Sequence, residues 1–118
     1  MFRSDRLKVR LPMVKSEHDI QNEIRVAVSA ADCTVFRTNT GTVIMPDGRP
    51  FSTGLPKGFP DLCGFRHHDG KMFFIEVKNQ RGQLRPEQKK FAAFAQRYPV
   101  LYGVARSADD ALAIISDG

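Results

Sequence analysis

Apolar residues recur at helical spacing in three parts of the chain. Ser16 to Asp19 has the form of a helix capping box, and an apolar stripe follows to about residue 31, with Ile20, Ile24, Ala27, Val28 and Ala31. Pro86 suits the first turn of a second helix, which we expect to end near Arg97. Ser107 to Asp110 repeats the capping-box form and predicts a last helix over 108–115.

Runs of β-branched and aromatic residues predict strands at 33–38, 61–66, 71–78 and 100–105, with a short additional strand at 42–45. Asp69-Gly70 favours a tight turn, so 61–66 and 71–78 should form a hairpin. Residues 46–60 contain four prolines and three glycines, which predicts a long loop. Pro12 interrupts the first fifteen residues, and we expect a basic arm at 1–15 followed by one domain at 16–118.

The element order is therefore αβββαβα. Three antiparallel strands followed by a helical crossover to a fourth strand give a mixed four-stranded sheet flanked by helices. The sequence predicts an α/β fold.

The composition fits one globular domain: 118 residues, of which 42% are hydrophobic and 26% charged. No apolar run approaches the roughly 20 residues that span a bilayer, and no signal peptide is visible, so we expect a cytoplasmic protein without membrane contact. Cys33 and Cys63 lack metal-ligand spacing and are too few for a disulfide scaffold.

The net charge is +5, and the basic residues are concentrated in two segments. Residues 1–16 hold five basic residues and one acidic residue; residues 77–90 have the same balance, with Lys78, Arg81, Arg85, Lys89 and Lys90 against Glu87. Such segments favour a polyanionic partner. The alternative is that they are solvated faces.

Candidate chemistry lies in the predicted hairpin. Asp61 follows Gly58-Phe-Pro60 where the first strand begins, and Glu76 and Lys78 share one face of the second strand. The hairpin should bring Asp61 beside Glu76. Two carboxylates and a lysine at one point suit phosphodiester hydrolysis assisted by Mg²⁺ or Mn²⁺. The alternative is an exposed Glu/Lys pair.

Two further polar residues lie at the ends of apolar helical stripes. Glu17 extends the buried stripe of the first helix, whereas Glu23 should face solvent. The alternative role of Glu17 is to cap the helix or to interact with the helix dipole. Gln88 begins a stripe with Phe91, Ala95 and Tyr98, and would either join the site or bond to the backbone of the preceding loop.

These segments together resemble the VRR-NUC domain, a family of the PD-(D/E)XK nucleases. The resemblance covers about residues 16–105 and rests on Glu17 to Gln21, Phe36 to Gly41, Gly58 to Leu62, Phe74 to Lys78 and Gly82 to Gln88. It implies a restriction-endonuclease-like fold and metal-dependent DNA cleavage. The chain looks like the small stand-alone members from phages and bacteria, which are thought to dimerise and act on branched DNA such as four-way junctions.

By residue, the resemblance implies Asp61, Glu76 and the backbone carbonyl of Val77 as ligands of Mg²⁺ or Mn²⁺. Lys78 would be the catalytic lysine, Glu17 an additional catalytic carboxylate and candidate ligand, and Gln88 a further catalytic residue. We expect DNA contacts from Arg37, Asn39, Arg81, Arg85 and Lys89. The function predicted is a structure-selective endonuclease acting as a homodimer. The alternatives are a restriction-type, sequence-specific nuclease and a nucleic-acid-binding module that does not cleave.

Overall fold

The computed structural model describes residues 14–38, 42–52 and 54–118. Three helices lie in this part of the chain: α1 (Glu17–Ala30), α2 (Pro86–Ala95) and α3 (Ala108–Ser116). Ser16 and Ser107 cap α1 and α3, each accepting a hydrogen bond from the amide three residues on, as the capping-box sequences predict.

Four strands form the central sheet: β1 (Cys33–Arg37), β4 (Leu62–Arg66), β5 (Met72–Val77) and β6 (Leu101–Ala105). Their order in space is β1-β4-β5-β6. The pairs β1–β4 and β4–β5 are antiparallel, and β5–β6 is parallel, with α2 as the crossover. The predicted mixed four-stranded sheet is confirmed.

Helices α1 and α3 cover one face of the sheet. The hydrophobic core lies there, between the stripe of α1, alternate residues of β5 and α3, and includes Ile20, Ile24, Val28, Phe73, Ile75, Val77, Ala111 and Ile115. Helix α2 packs on the other face, where Phe91 contacts the rings of Phe74 and Tyr102. The alternation of β5 therefore places Glu76 on the side of α2, opposite to the main core.

The prediction of a long loop at 46–60 was wrong in part. Strand β2 (Thr42–Ile44) pairs with β3 (Pro50–Ser52) in a separate two-stranded ribbon, so a strand lies inside the expected loop. Pro50 is the first residue of β3, a strand position that tolerates a proline although its nitrogen cannot donate a hydrogen bond. The turn between the strands closes through the amide of Met45, which donates to the carbonyl of Arg49 at 2.8 Å.

The predicted basic arm at 1–15 lies almost entirely outside the described residues, as does Asn39. None of the described helices is long and apolar enough to cross a membrane.

Candidate active site

The β4–β5 hairpin brings Asp61 next to the end of β5. Leu62 of β4 is opposite Ile75 of β5 in an antiparallel pair. Asp61 precedes Leu62 and Glu76 follows Ile75, so both lie at the same end of the hairpin. The Oδ2 atom of Asp61 accepts a hydrogen bond from the amide of Val77 at 2.8 Å. Asp61 is thereby tied to the backbone between Glu76 and Lys78.

Glu76 is buried, with 2% of its surface exposed. Its Oε2 atom accepts a hydrogen bond from Nε2 of Gln88 at 3.0 Å, while Oε1 is buried without a hydrogen-bond partner. The pKa of Glu76 is raised to about 9, mainly because the carboxyl is buried and in addition because the carboxylate of Asp61 is adjacent, whereas the charges of Lys78 and Arg85 oppose the shift. The metal-free carboxyl is therefore protonated at neutral pH.

Both polar atoms of the Gln88 side-chain amide form hydrogen bonds. Gln88 lies in the first turn of α2, is 4% exposed, and accepts a hydrogen bond from the amide of Arg85 at 2.8 Å through Oε1. The same side chain donates to Glu76. Both readings of Gln88 from the sequence thus describe its contacts: it bonds to the preceding loop and also reaches the carboxylate cluster.

Lys78 is 3% exposed, and its amide donates to the carbonyl of Ala105 in β6 at 3.1 Å. Gly82 packs against it: a Cβ atom at Gly82 would lie 3.1 Å from Cδ of Lys78 and 2.8 Å from Oε2 of Glu17. The structure therefore places the carboxylate of Glu17 and the side chain of Lys78 beside the same glycine.

The expectation that Glu17 is buried on the core stripe was wrong. Glu17 is exposed, because the stripe becomes covered only from Ile20 onward. Its carboxylate nonetheless faces the site through the contact with Gly82. Glu23 faces away, as predicted, and forms an exposed ion pair with Lys15 at 2.7 Å.

A cleft of about 220 Å³ adjoins the carboxylates and is lined by Glu17, His18, Gln21, Arg37, Thr38 and Asp61. Thr38 holds the cleft wall, since its Oγ1 donates to the carbonyl of Pro60 at 2.5 Å and its amide to that of Asp61 at 2.9 Å. The Oε1 atom of Gln21 is buried there without a hydrogen-bond partner. Sequence reasoning did not propose Gln21, although its position four residues after Glu17 is the signal that would have found it.

Four of the residues expected to contact DNA are basic, and all four are exposed. Arg37 is exposed beside the cleft, Arg81 and Arg85 are exposed between β5 and α2, and Lys89 is exposed on α2. Among the described residues, none of these four forms a hydrogen bond or an ion pair with Asp61 or Glu76.

The donor chemistry of the cluster fits a hard divalent cation. In the described ranges, no three residues among His, Cys, Asp and Glu converge into a ready metal cage. The fit rests on the buried, unpartnered Oε1 of Glu76, an oxygen whose burial is unfavourable until a donor or cation satisfies it. Mg²⁺ binds through one or two carboxylates and keeps several waters, so a full protein cage is not required.

We compared the chain with known protein families and solved structures. The sequence profile of the VRR-NUC domain matches residues 50–109, just over half of the chain and the part that carries Asp61, Glu76, Lys78 and Gln88. A solved structure described as a VRR_NUC domain is similar to this chain, with a TM-score of 0.57 and 21% identity over 86% of this chain and 97% of the other. No curated protein gives a significant match. The predicted restriction-endonuclease-like arrangement is confirmed, and this chain belongs to the VRR-NUC domain family, with a nuclease-type fold.

Proposed function

We propose that this protein is a Mg²⁺- or Mn²⁺-dependent DNA endonuclease that acts on branched DNA as a homodimer. The observation that carries the proposal is the buried, unpartnered oxygen of Glu76 beside Asp61 and Lys78. Membership of the VRR-NUC family, whose domains are of nuclease type, supports it.

Asp61 and Glu76 would hold the cation, with the carbonyl of Val77 as a third ligand. The N–H and C=O of a strand residue point to the same side, and the N–H of Val77 points to Asp61, so the carbonyl is directed to that side as well. When bound, the ion would polarise the scissile phosphate and lower the pKa of a coordinated water.

The remaining residues act on the substrate and on one another. Lys78 supplies an ammonium that orients the attacking water and offsets phosphate charge. Glu17, which like Lys78 lies beside Gly82, is a carboxylate able to accept a proton or a hydrogen bond in the cleft. Gln88 keeps one oxygen of Glu76 engaged and so leaves the other directed at the metal position.

The homodimer is supported by apolar side chains on the sheet face opposite the core. Phe36, Phe65 and Met72 are 56%, 41% and 40% exposed on three neighbouring strands. Phe65 is opposite Met72, and Phe36 lies diagonally from Phe65 across the β1–β4 pair. A contiguous exposed apolar patch on a sheet is typical of a protein interface, and a second copy of the chain would cover it.

Substrate cleavage tests the proposed function directly. Four-way junctions, flaps and linear duplexes are incubated with and without Mn²⁺, and we expect metal-dependent cleavage with preference for the junction. Lys78→Ala should abolish cleavage, and Glu17→Gln should lower the rate by about a hundredfold or more because a positioned carboxylate is removed. Glu23→Gln is the matched control and should retain the rate. Cleavage confined to one linear sequence would favour a restriction-type enzyme. Binding of DNA without cleavage would favour a DNA-binding module.

Cation binding should release a proton from Glu76. Because the raised pKa of about 9 keeps the carboxyl protonated at neutral pH, a bound cation has to displace that proton. Mn²⁺ affinity should therefore rise as pH increases from 6 to 9, and calorimetry in buffers of different ionisation enthalpy should detect the proton. Asp61→Ala and Glu76→Gln should lose the binding, and Asp109→Ala, an exposed carboxylate of α3, should keep it. Affinity independent of pH would contradict the assignment.

Sedimentation equilibrium tests the homodimer. The wild-type protein should sediment as a dimer, and Phe36→Asp, which places a charge in the apolar patch, should sediment as a monomer. Val26→Asp is a matched control, because Val26 is 73% exposed on α1 at the other face of the sheet. A monomeric wild-type protein, or a dimer unaffected by Phe36→Asp, would contradict this interface.

DNA binding should be largely electrostatic and should survive the loss of catalysis. With the Lys78→Ala protein, log K should fall with log[salt] at about −0.9 per phosphate contact on duplex DNA. Charge reversal at Arg81, Arg85 and Lys89 should reduce that slope and weaken binding to all sequences alike. A dimer that engages two arms should bind a junction more tightly than its component duplex. Equal affinities with a slope near zero would contradict both statements.

A further inference from the structure

The segment that follows Lys78 is a closed turn. The Oδ1 atom of Asn79 accepts hydrogen bonds from the amides of Arg81 and Gly82, at 3.0 and 2.8 Å. The amide of Gly82 also approaches the carbonyl of Asn79 at 3.2 Å. The side chain of Asn79 thus closes a turn over residues 79–82, the 79–82 turn.

Arg106 reaches this turn from the junction of β6 and α3. Its Nη1 atom donates to the carbonyl of Asn79 at 2.5 Å and to that of Gly82 at 2.8 Å, and so binds both ends of the turn. The carbonyls that end the turn are therefore held by a half-buried guanidinium that is 24 and 27 residues distant in sequence.

The backbone of Arg106 is itself anchored in α3. Its amide donates to Oδ2 of Asp110 at 2.9 Å, and the amide of Asp110 donates to Oγ of the cap residue Ser107 at 3.1 Å. The first turn of α3 thus fixes the position from which the guanidinium extends, so that the contact joins the turn to a rigid element.

The 79–82 turn lies against two proposed catalytic residues, Glu17 and Lys78. A Cβ atom at Gly82 would lie 2.8 Å from Oε2 of Glu17 and 3.1 Å from Cδ of Lys78, so a side chain at this position would displace the carboxylate of Glu17. The φ angle of Gly82 lies outside the left-handed range, so the effect of a side chain here would come from its contact with Glu17 and Lys78 and not from backbone conformation.

We propose that Arg106 is a positioning residue for the cleavage reaction: by holding the carbonyls of Asn79 and Gly82, it fixes the turn against which Glu17 and Lys78 are placed. The inference rests on the proposed nuclease function. It assigns Arg106 no contact with DNA or metal; Asp61 and Glu76 are held by other bonds, to Val77 and Gln88. Loss of Arg106 should therefore affect the rate of the chemical step and spare the binding of both ligands.

The kinetic test compares Arg106→Gln, Arg106→Lys and the control Arg97→Gln, which removes the same charge from an exposed arginine beside the ring of Tyr98. Arg106→Gln should lower kcat by about a hundredfold, since small displacements of catalytic groups cost that much. Its DNA and Mn²⁺ affinities should equal those of Arg97→Gln. Arg106→Lys, which keeps a cationic donor, should recover part of kcat. Gly82→Ala, with Arg106 intact, should show the same kcat loss through steric displacement.

A second readout is independent of cleavage. The side-chain carboxyl resonance of Glu17, assigned with Glu17→Gln, should shift in Arg106→Gln and in Gly82→Ala but not in Arg97→Gln. Hydrogen exchange at the amides of Arg81 and Gly82 should accelerate in Arg106→Gln, while exchange in β5 and β6 stays unchanged. These measurements report the turn and the position of Glu17 even in a variant that is inactive.

The outcomes separate the two claims. An inactive wild-type protein whose Glu17 resonance still depends on Arg106 would overturn the nuclease function and support the positioning geometry. An active wild-type protein whose Arg106→Gln variant keeps both kcat and the Glu17 resonance would overturn the positioning role. A variant that loses DNA affinity in place of kcat would identify Arg106 as a phosphate contact and would equally overturn it.

Discussion

Ionising Glu76 in the metal-free protein would place a negative charge where only 2% of the residue is exposed. Charge is strongly disfavoured in such surroundings unless it is paired or bound to a cation, and the raised pKa expresses that cost. The surrounding residues satisfy the carboxyl only in part: Gln88 donates to one oxygen, and the other is left without a partner. The hydrogen bond of Gln88 and the proposed role of a cation both concern this one buried group.

The register of the β4–β5 hairpin sets the geometry around that group. Leu62 opposite Ile75 places Asp61 at the end of β5, where it accepts from the amide of Val77. A slip of one residue would turn Glu76 towards the core and Ile75 away from it. The hydrophobic burial of Phe73, Ile75 and Val77 therefore fixes the functional side chains as well as the core, since all of them depend on the same alternation.

Local sequence patterns were sufficient for the parts of the site that lie within single elements or one hairpin. The Asp69-Gly70 turn and the alternation of β5 predict the approach of Asp61 to Glu76, and the cap at Ser16 predicts where α1 begins. The ribbon β2–β3 was missed because Pro46 and Pro50 are loop signals in a local window, whereas pairing with residues 42–44 decides the structure.

Contacts between distant segments could not be predicted from such patterns. The exposure of Glu17 depends on how far the sheet extends beneath α1, and helical periodicity does not contain that information. The approach of Gly82 to Glu17 and Lys78 joins α1 to the turn after β5, and Arg106 reaches the same turn from β6. Gln21 lies on the predicted face of α1, but only the cleft shows that its Oε1 is buried without a partner.

We propose that Asp61 and the unpartnered oxygen of Glu76 form a cation site. A crystal structure of the protein with Mn²⁺, with the ion located by anomalous scattering, would show this site. We expect a peak within coordination distance of Oε1 of Glu76 and of the Asp61 carboxylate, with Gln88 still bonded to the other oxygen of Glu76. No peak at these carboxylates at saturating Mn²⁺, or a peak elsewhere with Oε1 of Glu76 still unpartnered, would contradict it.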